Sequence, residues 1–141
     1  MFNRVIEIHD SQLDRIVIED GTAVLHFASV YVHQSTGTPA VDAGTGWVQR
    51  AILKIGDARI EGALSEELRE SSGYDAHQLS GGSIRLDENI SDNLIPIPLN
   101  ATAEIELRLE SWGYTVRVLG TSIFLELVGE PEYVEEFRPS D

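Results

Sequence analysis

The sequence predicts one all-β domain over residues 1–141, folded as an antiparallel β-sandwich, with a barrel of the same strands as the alternative. Apolar residues recur at every second position through most of the chain. Turn residues, mainly glycine, separate about eight or nine such runs. A length of 141 residues with 42% hydrophobic content fits a single domain of ordinary size. Because lone hairpins cannot bury their apolar faces, these strands must stack on one another.

The clearest strand signal lies at 101–111, where apolar and polar residues alternate strictly. Trp112 and Gly113 follow, and a second alternating run begins at 114. This pattern predicts a hairpin. The next alternating run, at 123–127, is predicted to complete a meander.

A second hairpin is predicted around Gly56 and Asp57, which separate the runs 51–55 and 58–63. Nearer the N-terminus, Asp20-Gly21 leads into a long run at 22–33 with apolar residues on both of its faces. That run is therefore predicted to be a central strand.

Two local irregularities are predicted. The long run is expected to carry a bulge near Ala28 and Ser29. A helix of one or two turns is expected at 65–72, since Ser65 is a good N-cap and acidic residues follow it.

The charge balance restricts the classes of partner. Ten Lys and Arg residues against 24 Asp and Glu residues leave a net charge of -14. Nucleic-acid binding depends on basic residues that neutralise phosphates, so neither DNA or RNA nor an anionic membrane is an expected partner. A basic protein or a cation is electrostatically favoured instead.

The chain contains no cysteine, which excludes disulfides, thiolate nucleophiles and cysteine-ligated zinc. The first residues show no basic start followed by an apolar stretch and a cleavage site, and no apolar run reaches the length of a membrane span. We therefore predict a cytoplasmic protein.

The segment 31–51 is predicted to be a long connection rich in polar groups, a common setting for function. Tyr31, His33, Asp42 and Trp47 form a candidate small-ligand site in it. Aromatic faces stack on sugars while carboxylates bind hydroxyls or cations, so the ligand would be a carbohydrate or a cation. Structural roles in a β-connection are the competing interpretation.

No catalytic or cofactor site is predicted. Ser35, His33 and Asp42 lack the context of a nucleophile elbow, so an enzyme is not expected. The four histidines are scattered without paired ligand spacing. A cross-strand metal set of His9, Asp10, His33 and Asp42 is conceivable, but surface or packing roles explain histidines more often, and no metal is predicted.

The C-terminal segment suggests a binding surface. Acidic residues surround apolar anchors there, in an arrangement suited to a basic partner because aromatic residues supply contact energy and carboxylates speed encounter. The residues are Glu132, Tyr133, Glu135, Glu136 and Phe137. The leading prediction is a non-enzymatic interaction protein that binds a basic protein, and pairing of exposed edge strands would permit a homodimer.

Two stretches carry a resemblance. The segment His9-Asp10-Ser11 with Leu13, and the segment Gly129 to Phe137, resemble parts of small uncharacterised bacterial all-β proteins. Some of those acidic, cysteine-free chains resemble immunity proteins, which are encoded beside bacterial toxins and neutralise them. The resemblance implies a toxin-neutralising role in a bacterial cell and supplies no catalytic residues.

Overall fold

A computed structural model describes residues 2–62, 77–99, 104–111 and 114–138, and every regular element among them is a β-strand. The ten strands are β1 (Asn3–Glu19), β2 (Thr22–Ser35), β3 (Gly44–Gly56), β4 (Arg59–Gly62), β5 (His77–Leu86), β6 (Asn89–Asp92), β7 (Leu94–Ile97), β8 (Ile105–Ser111), β9 (Tyr114–Gly120) and β10 (Ser122–Phe137). The helix expected at 65–72 lies outside the described residues.

The strands form one antiparallel sheet in the order β10-β3-β2-β1-β5-β8-β9-β4, with β6 added to β5 and β7 added to β1. Among the described residues the terminal strands β10 and β4 do not pair with each other, so the sheet is not closed. The all-β antiparallel prediction is confirmed, with one or two strands more than expected, whereas the barrel alternative is not realised.

The sheet folds over on itself around a single core. Its two parts are joined where β1 pairs with β5 at only two positions, Gln12 with Gln78 and Leu13 with His77. Both parts contribute fully buried side chains to one cluster, among them Leu53 of β3 and Leu107 of β8. The burial of apolar side chains between the two parts therefore stabilises the fold as in a sandwich.

Local sequence signals correctly predict several elements. Asp20 and Gly21, both with positive φ, form the tight turn between β1 and β2, which favours residues that tolerate such angles. β2 lies between β1 and β3 as the expected central strand, and its register with β3 shifts between Phe27 and Val30, at the predicted bulge. β8 and β9 form the expected hairpin.

Two pairing predictions are wrong. Gly56 and Asp57 do not close a hairpin, because β4 pairs with β9 while β3 pairs with β2 and β10. The run 123–127 belongs to β10 and pairs with β3, so no meander forms with β9. Alternation shows that a run of residues is a strand and which of its faces is buried. It does not show which strand is the partner, because many runs in the same chain alternate in the same way.

No helix among the described residues is long and apolar enough to cross a membrane.

Candidate functional site

A wide bulge in β1 positions the first part of the candidate site. Glu7 pairs with Tyr31 of β2, and the next pair is Gln12 with Ser29, so residues 8–11 stand opposite Val30 alone. Buried Ser11 closes the bulge: its Oγ donates to the Glu7 carbonyl at 2.7 Å and accepts from the Tyr31 amide at 3.1 Å. Bulges of this kind redirect side chains and are common next to functional sites.

Asn93, which follows β6, holds the other side of the bulge. The Ile8 amide donates to the Asn93 carbonyl, and the His9 amide donates to Asn93 Oδ1, both at 2.8 Å. The side chains of His9 and Asp10 are 45% and 47% exposed. A hydrogen-bonded backbone therefore presents these two titratable groups to solvent.

The bulge in β2 directs a second set of side chains away from the core. Beyond it Val30 and Val32 belong to the core, so Tyr31 and His33 lie on the opposite face. We call this opposite surface, formed by Glu7, Tyr31, His33, Glu135 and Phe137, the outer face. Tyr31 and His33 are nevertheless only 7% and 5% exposed, because the end of β10 covers them.

His33 is held in the outer face by one polar contact and two rings. Its Nε2 contacts a carboxylate oxygen of Glu7, while its ring centroid lies 4.9 Å from that of Tyr31 and 5.0 Å from that of Phe137. Its Nδ1 is buried and has no hydrogen-bond partner among the described residues. The carboxylate of Glu7 is thus the group toward which this imidazole is directed.

The C-terminal half of β10 completes the outer face. Glu135 pairs with Gly46 and Phe137 with Gly44, so both side chains lie over β2. The Tyr31 hydroxyl donates to Glu135 Oε1 at 2.7 Å. Gly46 is required beside it, since a Cβ at that position would overlap the Tyr31 phenol.

Burial and, to a smaller extent, acidic neighbours raise the pKa values of two groups in this region. Burial raises the pKa of the Asp10 carboxyl above its ordinary value, and the nearby charge of Glu7 raises it further. Burial also raises the pKa of the Tyr31 phenol, as does its hydrogen bond to Glu135. Both shifts favour the neutral, protonated form of these two groups.

The residues at the C-terminal end of β10 form an exposed acidic strand at the edge of the sheet. In the described part of the chain, β10 pairs with β3 alone. Glu130 and Glu132 are exposed and make no ion pair with a described residue, while Tyr133 and Val134 are 54% and 46% exposed. We call the segment 130–137 the acidic edge.

The structure joins some of the predicted site residues and separates others. The predicted connection 31–51 is mostly strand, because β2 runs to Ser35 and β3 begins at Gly44. Asp42 lies in the remaining loop, where its Oδ2 accepts from the Thr38 amide at 2.7 Å. Tyr31 and His33 therefore share a surface that Asp42 does not join.

Trp47 faces the other way. It packs against the core, and its ring meets the Tyr133 ring edge-on with centroids 5.3 Å apart. Tyr31, His33, Asp42 and Trp47 consequently do not line one cavity. The carbohydrate platform expected from these four residues has no shared surface in the described structure.

The acidic-tail residues divide between two faces of β10. Glu135 and Phe137 belong to the outer face, and Tyr133 packs on Trp47 on the opposite side. Glu132 pairs with Val48, and Glu136 forms a short-range ion pair with Arg138 at 3.0 Å. The tail thus contributes to the outer face and also places exposed carboxylates at the sheet edge.

No hydrolytic triad is assembled among the described residues. Ser35 Oγ donates to the Ala43 carbonyl, Asp42 binds the loop backbone, and the contact of His33 is Glu7. Ser35 and Asp42 therefore shape the loop. Sequence reasoning missed Glu7, whose position two residues before His9 on one strand was the available signal.

Comparison with known proteins finds no matching family model, no matching curated protein and no matching solved structure.

Proposed function

We propose that this chain is a non-enzymatic binding protein whose acidic edge engages a basic protein partner. The observation that carries the proposal is the exposed edge strand, on which Glu130 and Glu132 make no ion pair with any described residue and lie beside exposed Tyr133 and Val134. Uncompensated carboxylates next to apolar anchors favour a partner with lysine or arginine around apolar contacts.

Strand addition is the binding mode that this edge favours. An edge strand offers unpaired backbone donors and acceptors to an extended segment of another chain, and cross-strand side chains then select the sequence. Gly129, with positive φ, and Pro131 interrupt the regular edge, and the register with β3 shifts between Val128 and Glu132. Beyond this interruption the acidic part of the edge continues over 132–137, with one further register shift against β3 between Tyr133 and Glu135.

Charge also discriminates between partners. Antiparallel pairing of two acidic edges would bring glutamates close to one another, which costs free energy, whereas a basic strand would place opposite charges together. A homodimer through β10 is therefore the less favoured association. With a net charge of -14, long-range attraction would in addition speed encounter with a basic protein.

Neutralisation of a bacterial toxin in the cytoplasm is the most concrete form of the proposal. An acidic, preformed edge is suited to covering a basic surface, such as one that a nuclease uses to hold phosphates. The resemblance of Gly129 to Phe137 to the tails of small bacterial all-β proteins, some of which resemble immunity proteins, supports the same role.

The decisive experiment compares two charge-neutralised variants in a binding assay. A basic protein captured by the wild-type chain at low salt is identified, purified and titrated against E130Q/E132Q and against the matched control E61Q/E106Q. Weaker binding of the first variant only, with amide NMR shifts concentrated at 132–137, is expected. Equal loss in both variants, or no saturable binding to any basic protein, would refute the proposal.

A further inference from the structure

We propose that a cleft between β7 and β10 binds a single-chain aliphatic carboxylate, with Arg4 as the partner of its carboxylate group. The cleft has a volume of about 420 Å³ and is lined by Arg4, by residues 97–99 and by side chains of β10 between Ile123 and Leu127. A volume of this size and a mainly apolar lining with one charged group are typical of small-molecule sites. The acidic edge is a separate surface, because residues 130–137 do not line this cleft.

Arg4 lies on the core-facing side of β1. Ile6 and Ile8 follow it at alternate positions of the strand, and both isoleucines belong to the core. The cross-strand partner of Arg4 on β7 is Ile97, which packs against the same core. The register of β1 therefore places a half-buried cation among aliphatic side chains.

The protein provides no counter-ion for this cation. Arg4 makes no ion pair with a described residue, although the chain has 24 Asp and Glu residues, and most of the described arginines contact a carboxylate. Glu7, the nearest acid along β1, belongs to the outer face, and the described lining of the cleft includes no acidic side chain. A partly buried charge is costly without a counter-charge. A ligand carboxylate would supply the missing one.

The walls of the cleft are apolar side chains that the fold leaves partly exposed. Phe124 is 60% exposed, and the other walls are only partly buried: Ile97, Leu99, Ile123, Leu125 and Leu127. Adjoining apolar side chains that remain exposed to water mark a binding surface. An alkyl chain placed against them would remove apolar surface of both partners from water.

The single guanidinium selects the head group of the ligand. A guanidinium binds a carboxylate through two parallel hydrogen bonds and balances its one charge. A phosphate monoester carries about 1.5 to 2 negative charges, of which one arginine balances only a part. The net charge of -14 opposes the remainder, whereas acids more than about 10 Å from the cleft are largely screened at 0.1 M salt. A monocarboxylate is therefore favoured.

Calorimetric titration of the full chain with hexanoate, octanoate, decanoate and dodecanoate, each below its micelle concentration, tests the proposal. Affinity is expected to rise about 3-fold to 4-fold with each methylene group until the cleft is filled. Decanol lacks the charge and is expected to bind at least about 10-fold more weakly than decanoate. The absence of saturable binding throughout the series, or tighter binding of decyl phosphate than of decanoate, would overturn the proposal.

Arginine variants locate the head group. R4Q is expected to weaken decanoate binding by at least about 10-fold and to leave decanol binding unchanged. The matched control R50Q changes another arginine that makes no ion pair with a described residue and does not line the cleft. It is expected to bind decanoate as the wild type does. If R4Q and R50Q lose the same affinity, only the net charge matters and the role of Arg4 is wrong.

Variants of exposed apolar residues locate the alkyl chain. F124S is expected to weaken the binding of both decanoate and decanol by at least about 5-fold, whereas I90S, at a position 69% exposed elsewhere on the surface, is expected to bind both normally. Urea unfolding confirms that each variant is folded. Unchanged decanoate affinity of E130Q/E132Q would separate this site from the acidic edge.

Sedimentation without ligand tests the other possible occupant, a second copy of the chain. The wild type and F124S are expected to have the same mass in solution. If the wild type self-associates, F124S does not, and decanoate fails to bind, the cleft is an interface between copies and the proposal is wrong.

Discussion

The β4–β9–β8–β5 part of the sheet and the corner formed by β1, β2 and β10 differ in the partners of their charged side chains. In the first, Arg117 lies between Glu61 at 3.1 Å and Glu106 at 3.0 Å, and Arg85 contacts Glu106 at 3.6 Å and Glu104 at 2.9 Å. We call this row the charge ladder. Its acids and bases alternate across the strands and offset one another.

Among the described residues, the corner shows no such alternation of acids and arginines. Glu7 and Asp10 contact histidines, and Glu135 accepts from a neutral phenol. In the ladder, Arg85 and Arg117 offset the carboxylates of neighbouring strands. Glu7 and Glu135 thus hold neutral or titratable side chains of the outer face, and the carboxylates that make no ion pair with a described residue are Glu130 and Glu132 of the acidic edge.

The largest difference between the two regions is expected from packing. In Gly46→Ala the added methyl group would overlap the buried Tyr31 phenol, and forced repacking of this kind costs about 2 to 3 kcal/mol. The matched change Gly81→Ala, near the ladder, places its methyl group 3.5 Å from Glu110 Oε2, an ordinary contact, and is expected to be nearly neutral. Urea unfolding measures both, and equal losses would contradict the close packing of the outer face.

The next prediction compares the stability lost with a buried contact to the stability lost with exposed ion pairs. Glu7→Ala leaves His33 buried without a polar partner and is expected to cost about 1 to 3 kcal/mol. Glu106→Ala removes half-exposed ion pairs, which contribute about 0.2 to 1 kcal/mol. Glu7→Gln keeps an acceptor and should recover most of the loss. If Glu7→Ala is as stable as Glu106→Ala, Glu7 does not anchor His33.

The sequence predicts strands and buried faces well, because both follow from period-two alternation. The run at 105–109 buries Ile105, Leu107 and Leu109 as expected. Strand partners are less predictable: β3 and β4 are separated by a two-residue turn signal, yet they pair with different strands. Long-range pairing depends on which edges are left open once the whole sheet is assembled, and no local pattern encodes that.

Only part of the candidate site is predictable from the sequence, because the rest depends on long-range strand pairing. The sequence identifies four of these residues as candidate binding residues: Tyr31, His33, Glu135 and Phe137. They lie on one surface only because β10 pairs with β3. Glu7 and Asp10 come to one side only because the β1 bulge changes the alternation between them. Hydrogen bonds of Ser11 and Asn93 hold the bulge, and these two residues lie far apart in the sequence. Simple alternation therefore cannot reveal the bulge.

The buried phenol of Tyr31 in the corner should also make stability depend on pH in alkaline solution. The raised pKa of Tyr31 means that the folded state holds its phenol proton more tightly than the unfolded state does. The folded state then binds more protons above the ordinary tyrosine pKa of about 10, so stability must fall as pH rises there. Tyr31→Phe should make this fall less steep than it is in the wild type. Unfolding curves from neutral to alkaline pH measure the slope, and equal slopes in the wild type and Tyr31→Phe would exclude the effect.

The smallest effects should have opposite signs in the two regions. Glu132→Gln removes a carboxylate from an uncompensated acidic strand, so stability at low salt should rise by a few tenths of a kcal/mol. Glu61→Gln removes the carboxylate that lies 3.1 Å from Arg117 and 3.2 Å from Arg59, so stability should fall by a similar amount. Because both are exposed charge effects, both should shrink as salt shortens the screening length. If the two substitutions shift the urea midpoint in the same direction, the difference in charge between the corner and the ladder has no effect on stability. The proposal that the acidic edge is available to a partner would then lose its support.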